Sequence, residues 1–183
     1  MATLNHKSIF QKIDKFEYKI CVYFNNFSRR NTIKRFFSIV SRLGDGGIWY
    51  TLMLGLFFLC GIKGYVVAIG MALMAIFNVA IYKSLKSRLI RERPYISFKD
   101  LSCGTQPLDQ YSFPSGHTLH AVSFTVVCMY FFPLLAVLLT PLSILIAVSR
   151  VVLGLHYPTD VIMGALIGIA ISLPTIQVIT RFI

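Results

Sequence analysis

Residues 119–148 read LHAVSFTVVCMYFFPLLAVLLTPLSILIAV and contain no charged side chain. As one continuous α-helix this stretch would be about 45 Å long, whereas the hydrocarbon core of a bilayer is only about 30 Å thick. Pro133 divides the stretch near its middle, and proline ends or kinks a helix. We therefore favour two membrane helices, Leu119–Phe132 and Leu134–Val148, over one long kinked helix.

Three further apolar runs lie outside this stretch, at Ile48–Ile62, Tyr65–Tyr82 and Val161–Ile179. The first two are near the lower length limit of a membrane span, and flanking residues are expected to lengthen them. The five runs predict an all-α integral membrane bundle of about five transmembrane helices. A sixth span would have to come from the residues before Gly47, which are too charged for an ordinary span.

Residues 1–42 form a basic N-terminal segment in which apolar side chains recur at steps of three and four residues. These side chains are Ile9, Phe10, Ile13, Phe16, Ile20, Phe24 and Phe27. An amphipathic basic helix of this kind lies in the membrane interface rather than across it. A solvated helix or tail is the alternative. We treat residues 1–183 as a single membrane-embedded domain.

The chain has a formal net charge of +11. Its basic residues flank apolar spans and no groove-reading motif is present, so we expect no nucleic-acid partner. The four cysteines (Cys21, Cys60, Cys103 and Cys128) contain no C-x-x-C pair, which argues against a zinc site or a disulfide framework. The N-terminus has no compact apolar region followed by a cleavage site, so we expect no cleavable signal peptide.

Residues 83–160 contain three polar motifs, of which the first is Lys86 with Arg93-Pro94. Lys86 and Arg93 are seven residues apart, so two helical turns would point both to one side. Pro94 marks the helix end. Two cations fixed at a helix end can clamp a phosphate. Alternatively, the stretch is a juxtamembrane basic segment that only touches lipid head groups.

The second motif is Pro114-Ser115-Gly116-His117, immediately before an apolar run. With Pro114 in the first helical turn, the backbone N–H groups of Ser115 and Gly116 would be free at a helix N-terminus, where anions bind. His117 would be close enough to give a proton to a leaving oxygen. An ordinary helix cap with an interfacial histidine is the alternative.

The third motif contains Ser149-Arg150, His156 and Asp160. A tight local turn would let His156 meet Asp160, four residues later. A carboxylate that holds one imidazole N–H leaves the other ring nitrogen free to attack. A polar hinge whose His and Asp cap helices is the alternative.

The predicted topology places all three motifs on one membrane face. Cations and backbone N–H groups there can bind phosphate oxygens, an oriented histidine can attack, and an acid can protonate the leaving alkoxide. We therefore expect phosphoryl transfer to a histidine. No acidic cluster suited to magnesium is apparent, so we expect metal-independent chemistry without a cofactor.

The three motifs, complete and in order, resemble those of the type 2 phosphatidic acid phosphatase superfamily, which shares its core fold with vanadium haloperoxidases. Their span, Lys86 to Asp160, covers under half of the chain. The resemblance implies that His156 is the nucleophile that forms a phosphohistidine, that Asp160 orients it, and that His117 is the general acid. The implied phosphate-binding residues are Lys86, Arg93, Ser115, Gly116 and Arg150.

The expected function is hydrolysis of a phosphomonoester or pyrophosphate on a membrane lipid. Polyprenyl diphosphate, phosphatidylglycerol phosphate, phosphatidic acid and phosphorylated lipid A are the candidate substrates. A lipid-to-lipid phosphotransferase on the same site and a non-catalytic transporter or scaffold are the alternatives. The sequence leaves the oligomeric state open.

The sequence gives two conflicting indications of which membrane face carries the site. In the predicted topology only Lys63 and Arg181, of the 18 basic residues, lie opposite the site. The positive-inside rule would then place the site in the cytoplasm. The resemblance implies a periplasmic or extracytoplasmic site in the inner or plasma membrane. We take the extracytoplasmic face as our hypothesis and keep the cytoplasmic face as the alternative.

Overall fold

The computed structural model describes residues 6–183, except for the side chains of residues 6–9 and 11. Every regular element in this range is an α-helix, which confirms the predicted all-α class. In chain order the helices are α1 (His6–Phe27), α2 (Asn31–Leu43), α3 (Gly47–Leu59), α4 (Gly61–Arg88), α5 (Pro94–Ser97), α6 (Gly116–Phe131), α7 (Pro133–Val152) and α8 (Pro158–Thr180).

The five predicted apolar runs correspond to α3, α4, α6, α7 and α8. The predicted break at Pro133 is confirmed, because α6 ends at Phe131 and α7 begins at Pro133, where proline fits the first helical turn. Helices α4, α7 and α8 are long and apolar enough to cross a membrane, and α3 is a shorter apolar helix. The chain is therefore an integral membrane protein.

The basic segment before Gly47 forms α1 and α2, so the predicted N-terminal amphipathic helix is confirmed and is followed by a second helix. Residues 1–5 of this segment lie outside the described residues. Phe16 and Tyr23 of α1 are exposed, as expected for a helix that meets lipid or interface. Asp14 and Glu17 of the same helix are buried against the rest of the protein, which the apolar periodicity did not indicate.

Helix α6 packs extensively against both α7 and α8. Gly164 and Gly168 of α8 allow a close approach, because a Cβ atom on them would lie 2.6 Å from the Ser115 carbonyl oxygen and 2.7 Å from that of Leu119. Small residues spaced by four positions let two membrane helices pack backbone to backbone. This packing brings the N-terminal ends of α6 and α8 together, and the site lies at that end of the bundle.

Hydrogen bonds between side chains also join the helices inside the bundle. Asn78 of α4 donates to the Ser123 hydroxyl of α6 at 2.9 Å, and the hydroxyls of Thr125 and Ser143 join α6 to α7 at 2.7 Å. Buried polar groups need such partners because no water is available to them in the hydrocarbon region. These bonds, together with the glycine contacts, fix α6 relative to its neighbours.

Candidate active site

A cavity of about 850 Å³ opens where the three polar motifs meet. Six of the eight predicted site residues line it: Lys86, Arg93, Gly116, His117, Arg150 and His156. The other two, Ser115 and Asp160, are fully buried behind the cavity wall. The structure thus brings the three motifs to one place, although they are far apart in sequence.

His156 lies in the loop between α7 and α8, and its backbone N–H donates to the Arg150 carbonyl oxygen at 3.1 Å. Its Nε2 atom is 3.3 Å from Nη1 of Arg93. Burial, followed by the positive charges of Arg93, Arg150 and Lys86, holds the pKa of His156 well below its ordinary value. The imidazole is therefore neutral at physiological pH, the form in which a ring nitrogen can attack.

Asp160 contacts the other ring nitrogen of His156, with 3.5 Å between its Oδ2 atom and Nδ1. The distance is longer than an ordinary hydrogen bond, so this is an electrostatic contact. The same Oδ2 atom accepts the Tyr157 backbone N–H at 2.9 Å, because Tyr157 is the N-cap of α8 and Asp160 lies three residues later. A helix-capping geometry thus positions the predicted orienting carboxylate.

Lys86 and Arg93 both face the cavity, but not for the reason that their spacing suggested. Helix α4 ends at Arg88, so the two residues are not two turns apart on one helix. Arg93 has extended backbone geometry (φ −79°, ψ 151°) because the following Pro94 disfavours a helical conformation. The predicted helical register is therefore wrong, although the two cations still meet.

Lys86 and Arg93 meet at Asp109, a residue that is not among the predicted site residues. Its Oδ1 atom accepts from Lys86 Nζ at 2.7 Å and from Arg93 Nη2 at 2.6 Å. Burial opposes ionisation of Asp109, but Lys86 and Arg93 outweigh it and hold the pKa below its ordinary value. An anionic carboxylate therefore shares the two cations that were predicted to clamp a phosphate.

The second motif differs in detail from its prediction. Ser115 is the N-cap of α6, so Pro114 precedes the helix rather than starting it. The Ser115 N–H is not free, because it donates to the Asp160 carbonyl oxygen at 3.0 Å, and its hydroxyl pairs with that of Thr118 at 2.9 Å. Gly116, the first helical residue, does line the cavity, where helix N-terminal N–H groups favour anions.

His117 has a carboxylate partner that the sequence analysis also missed. Its Nε2 atom is 2.5 Å from Oδ1 of Asp45, which lies in the turn between α2 and α3. Both residues line the cavity. Asp45 lies in the turn sequence Gly44-Asp45-Gly46-Gly47, and a turn sequence carries no signal for a partner more than seventy residues away.

Arg150 supplies a third cation from the last turn of α7. Its Nη1 atom donates to the Ser41 hydroxyl of α2, while its Nε has no hydrogen-bond acceptor among the residues that the structure describes. The guanidinium is buried and lines the cavity. Lys86, Arg93 and Arg150 together give the cavity a surplus of positive charge that suits a phosphate dianion.

Arg91 is a fourth buried cation and lies outside the cavity lining. Its Nη1 atom is 2.5 Å from the Asp160 Oδ1 atom. Among the side chains that the structure describes, no three His, Cys, Asp or Glu residues are arranged so that they could hold a metal ion. The charged and titratable groups at the cavity thus include the neutral His156, His117 with its carboxylate, the three buried cations Lys86, Arg93 and Arg150, and the exposed Lys83.

The sequence matches the model of the PAP2 superfamily over residues 64–183. Two relatives, each named lipid A 1-phosphatase, come from Rhizobium johnstonii and Rhizobium etli. Each is 39% identical over 70 residues, which is 38% of this chain. The matched region spans 29% and 30% of those relatives, so the chain matches less than a third of their length.

Two crystal structures have a similar fold. LpxE of Aquifex aeolicus superimposes with a TM-score of 0.70 and 27% sequence identity, over 87% of this chain and 93% of that one. The first transmembrane PAP2-type phosphatidylglycerolphosphate phosphatase from Bacillus subtilis superimposes with a TM-score of 0.71 and 22% identity, over 93% and 86% of the two chains. Both likenesses extend well beyond the three motifs.

Proposed function

Because the chain belongs to the PAP2 superfamily, we propose that it is a membrane lipid phosphatase that uses His156 as its nucleophile. The observation that carries the proposal is the placement of the His156 ring. One nitrogen lies beside Arg93 at 3.3 Å and the other beside Asp160 at 3.5 Å. A neutral imidazole held in this way can attack a phosphorus atom that the neighbouring cations bind.

In this mechanism Lys86, Arg93 and Arg150 bind the phosphate oxygens, with the N-terminus of α6 at Gly116 contributing backbone N–H. His156 attacks phosphorus and forms a phosphohistidine while the bond to the lipid oxygen breaks. His117 gives its proton to that oxygen and then takes one from the water that hydrolyses the phosphohistidine. Asp160 stabilises the imidazolium that His156 becomes. Three side-chain cations supply the charge that a metal ion would otherwise provide, so the reaction needs no metal.

The walls of the cavity support a lipid substrate. Besides the polar groups, the cavity is lined by apolar side chains of α3 and α4: Trp49, Met53, Ala72, Ala75, Ile76 and Val79. A lipid can place its head group among the cations while its tails stay against these helices. The names of the two Rhizobium relatives make phosphorylated lipid A the first substrate to test, with polyprenyl diphosphate, phosphatidylglycerol phosphate and phosphatidic acid beside it.

The test is phosphate release from these lipids by purified protein in detergent, with EDTA present, beside His156→Ala. We expect release by the wild type without an acceptor lipid, ³²P labelling of His156 from labelled substrate, and neither in the variant. The variant should retain the wild-type melting temperature. Equal turnover by wild type and His156→Ala would overturn the assignment of the nucleophile, and phosphate transfer only to an added acceptor lipid would indicate a phosphotransferase.

We also propose that the site faces the extracytoplasmic side. Helix α8 runs away from the site, so residue 183 lies at the opposite end of the bundle. A reporter that is active only in the cytoplasm should then be active when fused at residue 183 and silent when fused at residue 1. The reverse pattern would place the site in the cytoplasm, as the distribution of basic residues indicates.

A further inference from the structure

Arg91 has an unusually complete set of partners for a residue outside the cavity. Its side chain is buried, and all five guanidinium N–H donors have acceptors. Nε and Nη2 donate to Asp14 at 2.9 and 2.6 Å, and Nη2 also donates to Glu17 at 2.8 Å. Nη1 donates to the Thr159 hydroxyl at 2.8 Å and to Asp160 at 2.5 Å. Only arginine offers this number of donors in a fixed plane.

The two carboxylate oxygens of Asp160 have different partners. Oδ1 is held by Arg91, whereas Oδ2 faces Nδ1 of His156 and the Tyr157 backbone N–H. These contacts fix the rotation of the carboxylate, and they determine which of its oxygens faces His156. Arg91 also lies over the Tyr157 ring, 3.9 Å from its centroid, and this packing limits its own movement.

Helix α1 holds Arg91 in place from the other side. Asp14 and Glu17 are three residues apart, so both project from one face of α1 towards Arg91. Glu17 in addition accepts the Thr159 backbone N–H and the Thr159 hydroxyl, each at 2.7 Å. The N-terminal helix therefore contacts both Arg91 and the first turn of α8, which carries Asp160.

We propose that Arg91 is a positioning residue for the phosphoryl transfer, acting on His156 through Asp160, and that helix α1 completes the active site by holding Arg91 with Asp14 and Glu17. The inference rests on the proposed role of His156 as nucleophile. It assigns a catalytic consequence to the N-terminal amphipathic helix, which lies outside the three motifs. A buried ion-pair network that serves stability alone is the competing explanation.

The two explanations differ in kinetics. Because Arg91 does not line the cavity, its loss should impair the attack of His156 without weakening phosphate binding. We expect Arg91→Met to lower kcat about 10- to 100-fold, by analogy with the loss of a partner that orients a metal-ligating histidine or carboxylate. KM and the inhibition constant of inorganic phosphate should stay within about twofold of the wild type. Arg88→Met, which neutralises an exposed arginine three residues away, is the matched control and should leave both constants unchanged.

Two milder variants keep the test decisive if Arg91→Met does not fold. Arg91→Lys keeps the charge but has only three donors. Glu17→Gln keeps the size but loses the negative charge and one of the two oxygens that accept from Arg91 and Thr159. Both should lower kcat and leave phosphate inhibition intact. Unchanged kcat in folded variants would overturn the proposal, as would a parallel loss of kcat and phosphate affinity. Failure of the proposed function would look different, because wild type would then acquire no ³²P on His156.

Discussion

His117 Nε2 and Asp45 Oδ1 lie 2.5 Å apart and join the first turn of α6 to the turn between α2 and α3. A carboxylate this close fixes the orientation and the tautomer of an imidazole. If His117 is the general acid, Asp45 is the group that aims it. Substitutions of His117 and of Asp45 should then show the same dependence of activity on how strongly the leaving group needs a proton.

The first prediction concerns the leaving group. His117→Ala should lose about 10²- to 10⁴-fold in kcat on a lipid phosphate, whose alkoxide needs a proton, because general acid catalysis is worth roughly that much. The loss should be far smaller on p-nitrophenyl phosphate, whose phenolate leaves without one. Asp45→Asn should show the same dependence on leaving group with a smaller loss.

Asp100→Asn is the matched control for Asp45→Asn, because Asp100 is exposed, outside the cavity lining, and bound to the Tyr18 hydroxyl at 2.7 Å. It should behave like the wild type on both substrates. An equal loss on both substrates for His117→Ala would contradict the role of proton donor.

The second prediction concerns the charge on His156. Because the pKa of His156 is held well below its ordinary value, the His156 ring stays neutral as the pH falls through the range in which an exposed histidine becomes protonated. In ¹⁵N-histidine NMR spectra of detergent-solubilised protein, the signal missing from His156→Ala should keep neutral shifts from pH 7.5 to 5.5. Arg93→Met removes a neighbouring positive charge, so it should move the midpoint upward. A wild-type midpoint at or above about 6.5 would contradict the electrostatic description of the site.

Local sequence features were sufficient to predict the five apolar helices and the N-terminal amphipathic helix, but not α2 or α5. The break at Pro133 and the start of α8 at Pro158 follow from the geometry of proline, which is set within one or two residues. The end of α4 was less predictable, because Pro94 accounts for the extended backbone of Arg93 but not for the end of the helix at Arg88, five residues earlier. Apolar runs located the spans, but they did not give the helix end that positions Lys86.

The partners of the site residues were beyond the reach of local patterns. Asp45, Asp109 and Arg91 are charged residues in turns or loops, where a charge is normally solvated. Each acquires its place only when distant elements pack together, as Arg91 does between α1 and α8. The burial of Glu17 is the one feature that the periodicity of the basic amphipathic helix could have indicated. An acidic residue is unusual on the inward face of such a helix.

The third prediction concerns the contact between α6 and α8. Gly164→Ala would place a Cβ atom 2.6 Å from the Ser115 carbonyl oxygen, a backbone atom that cannot move aside easily. We expect a destabilisation of about 1–3 kcal/mol and a lower melting temperature in detergent. Displacement of Ser115 should also disturb its bond to Asp160 and reduce kcat.

Gly55→Ala provides the control, because a Cβ atom there meets nothing within 4 Å. Alanine is favoured over glycine in a helix by roughly 0.5–1 kcal/mol, so this variant should be as stable as the wild type or more so. If the two variants changed the melting temperature alike, close packing at Gly164 would not be what holds α6 against α8.

The fourth prediction concerns Asp109, whose carboxylate binds the same two cations that we assign to the phosphate. Two negative groups beside Lys86 and Arg93 repel each other, and each must share the available donors. At 4 Å two unit charges cost about 1–4 kcal/mol between the dielectric of water and that of a protein surface. Removing the charge with Asp109→Asn should therefore strengthen phosphate binding.

We expect the inhibition constant of inorganic phosphate to fall roughly tenfold in Asp109→Asn. A tenfold change corresponds to the weaker part of that range of repulsion energies, because Asp109 is partly exposed and its charge is screened. The difference from wild type should shrink in high salt, as expected for a partly exposed charge. Asp100→Asn, with the same change outside the cavity, should leave the constant unaltered. Tighter phosphate also means slower release of product, so Asp109→Asn should show stronger product inhibition during prolonged turnover. Weaker phosphate binding in this variant would show instead that Asp109 holds Lys86 and Arg93 in the geometry that phosphate requires.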